Sequence, residues 1–240
     1  MNRSVVKMLS KLAVAVLLAL GGAATAGETP PTNIKASYRV YRAGIWIGVV
    51  EEHFTREREQ YKIVSTTDTV GPLRLFLRDQ LTMVSEGTVG AGGLKPASYR
   101  FSRTKDQDKN IAAVFAWDKA ELHSQHDHEE EVFALPVGTQ DRISAMYQFM
   151  FKPPVADEVN IWMTQGKKAE RYHYKKVGEP VLTVIDDDIP TIYFAREVKA
   201  GETRAHLWLA KDKFYLPVKI RFEDGKGGAF EQVLVALHTE

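Results

Sequence analysis

The stretch that decides the fold is Thr139-Gln140-Asp141-Arg142-Ile143-Ser144-Ala145-Met146-Tyr147-Gln148-Phe149-Met150-Phe151, which predicts a single amphipathic helix near 141–151. Its large apolar residues recur at spacings of three and four, which places them on one face of a helix. They are Ile143, Met146, Tyr147, Met150 and Phe151. Asp141 can cap the first turn, because its carboxylate accepts a hydrogen bond from a free backbone N–H. Pro153 and Pro154 end the helix, because proline has no N–H to donate. A lone helix with such a face must pack against a sheet or fill the mouth of one.

On both sides of this helix the sequence alternates between apolar and polar residues, as β-strands do. Ala36, Tyr38 and Val40, for example, fall on one face of a strand. Turn signals recur every 10 to 14 residues or so, a spacing that is typical of an antiparallel meander. The helix therefore divides the chain into an N-terminal and a C-terminal set of strands.

Several strands are apolar on both faces, which a flat sheet with one face in water would not need. Leu207 and Leu209 alternate with Trp208, for instance. A strongly curved sheet would need apolar residues on both faces. One face would surround an apolar interior, and the helix or a neighbouring sheet would cover the other. We therefore predict a mainly β fold, a large curved antiparallel meander that forms an open or partly closed barrel with one amphipathic helix. It would be a single domain over 27–240, and two sheet halves that meet near the helix are the alternative.

Residues 1–26 have the features of a cleaved signal peptide. Arg3, Lys7 and Lys11 form a positive region, an apolar run follows at 12–20, and Ala24-Thr25-Ala26 provides small residues for cleavage. The apolar run is shorter than the roughly 20 residues that span a bilayer. An uncleaved N-terminal anchor is the alternative. After cleavage, no transmembrane segment is expected.

The composition excludes several function classes. The chain has no cysteine, which rules out disulfides, thiol catalysis, thiolate metal sites and lipid attachment through an N-terminal cysteine. Three of the 32 basic residues and none of the 31 acidic ones lie in 1–26, so 29 basic residues face 31 acidic ones, a net charge of −2. This balance gives no electrostatic reason to expect binding to nucleic acid.

Two clusters of polar residues resemble metal sites, but the sequence favours simpler interpretations. His126 and His128 would point the same way on a strand, with Glu130 extending the row, and could ligate zinc or copper. Their acidic surroundings favour a solvated hairpin instead. Asp186-Asp187-Asp188 lacks the ligand spacing of a calcium loop and indicates a turn. We therefore assign no metal site.

No motif for catalysis or for a cofactor is present. The chain has no Gly-x-Ser-x-Gly, phosphate loop or dinucleotide fingerprint, so no catalytic residue is assigned and no cofactor is expected. The sequence favours a protein that is not an enzyme. Hydrolysis by paired carboxylates stays open, because their pairing is spatial.

Large apolar side chains are the candidates for a ligand-binding wall, with ordinary core packing as the alternative. Segment 71–78 follows a turn signal and is rich in leucine; it is either tucked into the core or forms an apolar flap over a cavity. The candidates come from the strands, the helix and this segment. They are Trp46, Tyr99, Phe101, Phe115, Trp117, Trp162, Trp208, Met146 and Phe76.

A series of short motifs resembles a known family. They are Tyr38-Arg39-Val40-Tyr41 with Gly48, Gly93-Leu94-Lys95-Pro96, Phe115-Ala116-Trp117-Asp118, Gln140-Asp141 with Ser144, Trp208-Leu209-Ala210 and Leu216-Pro217-Val218. In this order they resemble the exported bacterial family catalogued as domain of unknown function 3108, from about Tyr38 to Leu237. The resemblance implies a periplasmic, mostly β protein without an established activity. In outline the chain also resembles the periplasmic lipoprotein-carrier superfamily, in which a curved sheet holds acyl chains under helices.

We therefore predict a periplasmic binding or carrier protein for a lipid-like or amphipathic envelope molecule. The alternative is an envelope scaffold or interaction module that binds a protein partner and no small ligand. A periplasmic hydrolase or metal-binding protein is the third hypothesis.

Overall fold

The computed structural model describes residues 29–71, 79–199 and 201–240. The predicted signal peptide at 1–26 lies outside these residues and stays a prediction. Most of the predicted flap, including its candidate Phe76, also lies outside them. No helix in the described ranges is long and apolar enough to cross a membrane.

The described residues form sixteen strands and one α-helix. The N-terminal strands are β1 (Asn33–Arg42), β2 (Ile45–Glu57), β3 (Gln60–Thr69), β4 (Leu81–Gly90), β5 (Gly93–Arg103), β6 (Ile111–Ala116), β7 (Glu121–His126) and β8 (Glu129–Ala134). A short strand β9 (Gln140–Asp141) and the helix α1 (Ser144–Phe151) follow, and a 3-10 turn (Gln107–Lys109) lies between β5 and β6. The C-terminal strands are β10 (Glu158–Thr164), β11 (Glu170–Gly178), β12 (Val181–Val184), β13 (Asp187–Arg196), β14 (Arg204–Ala210), β15 (Pro217–Glu223) and β16 (Ala229–Thr239).

The strands form one curved sheet that is not closed into a barrel, which confirms the predicted fold class. Their order is β8-β7-β6-β5-β4-β3-β2-β1-β16-β15-β14-β13-β11-β10-β9, with β12 paired to β13 beside this path. All described pairs are antiparallel except β9 with β10. The first and last strands pair, with Ile34 opposite Thr239, so that the two strand sets become one sheet.

Curvature brings distant strands together across the concave side. The Ser124 hydroxyl in β7 donates a hydrogen bond to the carbonyl oxygen of Gly166, 2.5 Å away, in the turn between β10 and β11. The Gln140 side chain in β9 donates to the carbonyl oxygen of Leu94 in β5 at 2.9 Å. These contacts hold the two ends of the sheet near each other without strand pairing between them.

The predicted alternation in the first strand is confirmed. Ala36 and Tyr38 are buried and Val40 is half-buried, on the same face. Ala43 and Gly44 both have positive φ and form a two-residue turn to β2, as the most compact hairpins require. Val40 in β1 and Val50 in β2 both face the interior.

The predicted helix is present but begins later than expected. We predicted a helix near 141–151, whereas α1 begins at Ser144, and Asp141 belongs to β9 and pairs with Thr164 in β10. The predicted capping interaction is nevertheless made, because its Oδ1 accepts the backbone N–H groups of Ile143 at 3.1 Å and Ser144 at 2.9 Å. Parallel pairing with β10 thus takes Asp141 out of the helix but leaves its side chain at the helix start.

The helix lies between two parts of the apolar core. Tyr147 and Met150 pack in a cluster formed mainly with the N-terminal strands. Phe149 packs in a second cluster, with side chains of the C-terminal strands. Met146 contacts both clusters. The helix therefore occupies part of the concave side of the sheet and is buried on more than the one face predicted.

Candidate functional site

A cavity of about 590 Å³ opens on the concave side of the sheet, above the start of α1. Strands β1 to β5 line one side, and residues of β10, β11 and β13 to β16 line the other. Ile143 and Met146 contribute the helix side. Its volume is within the range of small-molecule sites, and it lies at the junction of the two strand sets.

The wall of the cavity is mainly apolar. Side chains of β2, β4 and β5 face side chains of β14 and β15, and they are large or branched. They include Val50, Leu81, Met83, Phe101, Leu207, Ile220 and Phe222. Such a wall suits a hydrocarbon chain, because binding is favoured by about 25 cal/mol for each Å² of apolar surface that is removed from water.

One carboxyl group lies within this apolar wall. Glu52 occupies the inward-facing row of β2, between Val50 and the buried Phe54. The Tyr147 hydroxyl donates to its Oε2 at 3.0 Å, and the Ser65 hydroxyl donates to its Oε1 at 3.3 Å. Burial raises the pKa of Glu52 above 4.5, although these two donors and the charge of Arg142 act in the opposite direction. Glu52 is therefore easier to protonate than an exposed glutamate.

This raised pKa predicts a change in stability with pH. The folded state holds the Glu52 proton more tightly than the unfolded state, so stability falls as pH rises from below 4.5 through the folded-state pKa. Glu52→Gln removes this dependence. We expect the variant to gain stability relative to the unchanged protein as pH rises from 4 to 7.5 or so. Urea unfolding at several pH values measures it.

The matched control is Glu57→Gln, in the same strand and exposed. It tests whether the pH dependence belongs to the buried position of Glu52 or to any glutamate of this strand. A stability difference for Glu52→Gln that stayed constant over this range would contradict the raised pKa.

A second buried carboxyl group holds the helix start against the sheet. Besides the two backbone donors, Asp141 accepts the Ser85 hydroxyl of β4 at 2.5 Å. The Ser85 hydroxyl has only one proton and donates it to Asp141. In the second hydrogen bond, at 3.0 Å, Ser85 Oγ is therefore the acceptor and the Tyr61 hydroxyl is the donor. Burial raises the pKa of Asp141 above 3.8 despite its donors. This network crosses three elements and orients Arg142 and Ile143 toward the cavity.

Of the predicted ligand-binding residues, Phe101 and Met146 lie in the cavity wall. Tyr99, Phe115 and Trp117 lie in or against the first core cluster, not in the wall. Trp117 is one residue beyond the end of β6, and its indole N–H donates to the carbonyl oxygen of Pro96 at 2.6 Å.

The other three tryptophans alternate with cavity residues and so face away from the cavity. Trp46 precedes Ile47, is 46% exposed and lies under the Arg39 guanidinium at 4.8 Å. Trp162, which precedes Met163, is 37% exposed. Trp208 stacks on Tyr193 with ring centroids 4.5 Å apart. A ligand-binding role for each predicted residue stays a prediction.

The site residues that sequence reasoning missed are polar. Glu52, Arg142 and Arg196 all line the cavity. For Glu52 a signal existed, because it continues the inward row of Gly48 and Val50 at period two. A charged residue in such a row indicates either a cavity or a buried network.

The polar clusters singled out in the sequence lie at two hairpins, partly in the turns and partly in the strands, since Asp187 and Asp188 begin β13. Asp127 and His128 have positive φ and form the two-residue turn between β7 and β8. His126 is buried, with its Nε2 2.7 Å from Glu131 Oε2. Asp186 lies with Ile185 in the turn between β12 and β13. In 29–71, 79–199 and 201–240, no group of three His, Asp or Glu side chains is arranged to hold a metal ion.

The fold and the cavity define a class, a curved antiparallel β-sheet protein with a mainly apolar cavity on its concave side. The chain belongs to the family described as protein of unknown function (DUF3108), whose model matches residues 37–235. The expected family membership is thereby confirmed. No curated protein matches the chain in sequence.

Solved structures with similar folds have little sequence in common with this chain. A β-barrel-like protein of domain of unknown function DUF1849 from Brucella abortus has a TM-score of 0.56 and 13% identity, over 88% of this chain and 99% of that one. A candidate lipoprotein from Parabacteroides distasonis has a TM-score of 0.37 and 10% identity, over 88% and 98%. Lipoprotein LppX from Mycobacterium tuberculosis has a TM-score of 0.25 and 10% identity, over 85% of each chain. The Brucella structure supports the fold.

Proposed function

We propose that this chain is a periplasmic binding or carrier protein for a lipid-like or amphipathic envelope molecule. The observation that carries the proposal is the cavity of about 590 Å³, whose wall is mainly apolar and contains a few charged groups. An apolar wall with few polar groups suits a ligand that has both a hydrocarbon part and a polar part. The periplasmic location rests on the predicted signal peptide at 1–26.

The test is to narrow the cavity and measure what the protein still binds. Ala205 in β14 is buried and lines the cavity, so Ala205→Trp places an indole inside it. Thr67→Trp does the same from β3 on the opposite side. We expect each to lower the affinity for an acyl-chain probe about tenfold or more, which equals 1.4 kcal/mol or more of binding free energy.

The measurements are native mass spectrometry of protein isolated from its own cells without detergent, then titration with a fluorescent fatty-acyl probe. Ala134→Trp is the matched control, because Ala134 is exposed in β8 and does not line the cavity. Circular dichroism checks that each variant is folded. Bound mass and probe affinity that are equal in all four proteins would contradict the proposal.

The second candidate function is an envelope interaction module without a small ligand. Its support is the pair of exposed apolar side chains at the β1–β2 hairpin, Ile45 at 66% and Trp46 at 46% exposure. Exposed apolar groups that lie together mark interaction sites more often than single ones do. A protein that carries no bound mass and does not bind the probe would favour this function.

A further inference from the structure

Five charged side chains line the described part of the cavity, and they are not equally compensated. They are Glu52, Asp68, Arg142, Arg196 and Glu231. A charged side chain that has no partner near an apolar wall is costly to bury, so a ligand group of opposite charge is favoured beside it.

The three carboxyl groups all have partners or a reduced tendency to ionise. Glu231 is ion-paired with Arg221 at 3.1 Å and with Lys219 at 3.3 Å. Asp68 accepts hydrogen bonds from the Gln80 side chain at 3.1 and 3.2 Å. Burial raises the pKa of Glu52, which also accepts two hydroxyl donors.

The two arginines, in contrast, have aromatic neighbours and form no ion pair within 4.0 Å among the described residues. Arg142 acts on Glu52 through its charge alone, without a hydrogen bond between them. The Arg196 guanidinium lies 4.0 Å from the Tyr172 ring centroid and donates to the carbonyl oxygen of Thr203 at 3.3 Å. Its buried Nε has no hydrogen-bond partner in 29–71, 79–199 or 201–240. The Arg142 guanidinium lies 6.0 Å from the Phe222 ring centroid.

We propose that the cavity selects amphiphiles with an anionic headgroup, which the guanidinium groups of Arg142 and Arg196 bind. This inference rests on the proposed function and names its ligand class. A guanidinium presents several N–H donors in one plane and matches a carboxylate or a phosphate in two parallel hydrogen bonds. Contact with an aromatic face restricts the guanidinium and leaves its edge for the anion. The apolar wall then takes the hydrocarbon tail.

The test compares two probes with the same tail, one with an anionic and one with a neutral headgroup, bound to the full exported chain. They are dansylaminoundecanoic acid and its methyl ester. We expect the acid to bind about tenfold tighter than the ester, because a charged hydrogen bond replaces a neutral one. Arg142→Gln and Arg196→Gln should each lower the affinity for the acid much more than the affinity for the ester, and so remove most of this preference. Arg142 is exposed, so its variant is expected to fold even where the Arg196 variant does not.

Arg171→Gln is the control, since Arg171 is exposed in β11 and does not line the cavity. It should keep the full preference for the acid. Equal affinities for acid and ester in the unchanged protein would overturn the headgroup inference and leave amphiphile binding intact. Failure to bind either probe would contradict the proposed function as well.

Competition then separates the two sources of negative charge. Displacement of the acid probe by decanoate but not by decyl phosphate identifies a carboxylate headgroup, and the reverse identifies a phosphate; either result supports the inference. Displacement by neutral decanol as effectively as by both anions would overturn it.

Discussion

Asp141→Ala is expected to lower the free energy of unfolding at neutral pH by about 3 kcal/mol, because it removes the acceptor for three buried donors. Those donors are the backbone N–H groups of Ile143 and Ser144 and the hydroxyl of Ser85. In this variant the Ser85 hydroxyl of β4 would have no acceptor, and the start of α1 would lose its cap. Urea denaturation followed by circular dichroism measures the change.

Two variants make the result specific. Asp141→Asn keeps one oxygen for the backbone donors and should recover about half of the lost stability. Asp118→Ala removes an exposed carboxylate from the turn between β6 and β7 and should change the stability by less than about 0.5 kcal/mol. If Asp141→Ala were no more destabilising than Asp118→Ala, the buried network would not anchor the helix.

Gly87→Ala is expected to destabilise the protein by about 2–3 kcal/mol, because the added methyl group has no space. A Cβ at this position in β4 would lie 2.2 Å from the carbonyl oxygen of Lys95 and 2.8 Å from the Cα of Pro96. Both are backbone atoms of β5, opposite a register shift in the β4–β5 pairing, so they cannot move away as a flexible side chain would. Thermal and urea unfolding give the magnitude.

The matched control lies three residues further along the same strand. A Cβ at Gly90 meets no other atom within 4 Å, and this glycine does not have a positive φ. Gly90→Ala should therefore be neutral or stabilise by up to about 1 kcal/mol through the unfolded state. Equal effects at Gly87 and Gly90 would mean that the close contact with β5 does not destabilise the Gly87 variant.

The strands were predictable because their signal is local. Ala36, Tyr38 and Val40 alternate with polar residues, and this alternation is enough to define one face of β1. The helix was predictable from the spacing of its apolar residues for the same reason. Its first residue was not, because Asp141 pairs with Thr164, which is far along the chain.

The cavity wall was only partly predictable. Phe101 and Met146 line the cavity, whereas Trp46, Trp162 and Trp208 face away from it. Alternation separates Trp208 from Leu207, but it does not say which of the two faces is concave. Aromatic size alone therefore selected residues from both sides of the sheet.

By itself the sequence determined the mainly β class, the position of the helix and the absence of cysteine chemistry, because each follows from composition or from periodicity within one segment. The tertiary structure decided the pairing of β1 with β16 and the cavity between the two strand sets. It also brought Glu52, Arg142 and Arg196 into the lining of one cavity. These three residues come from separate elements, and only the curvature of the paired sheet brings them together.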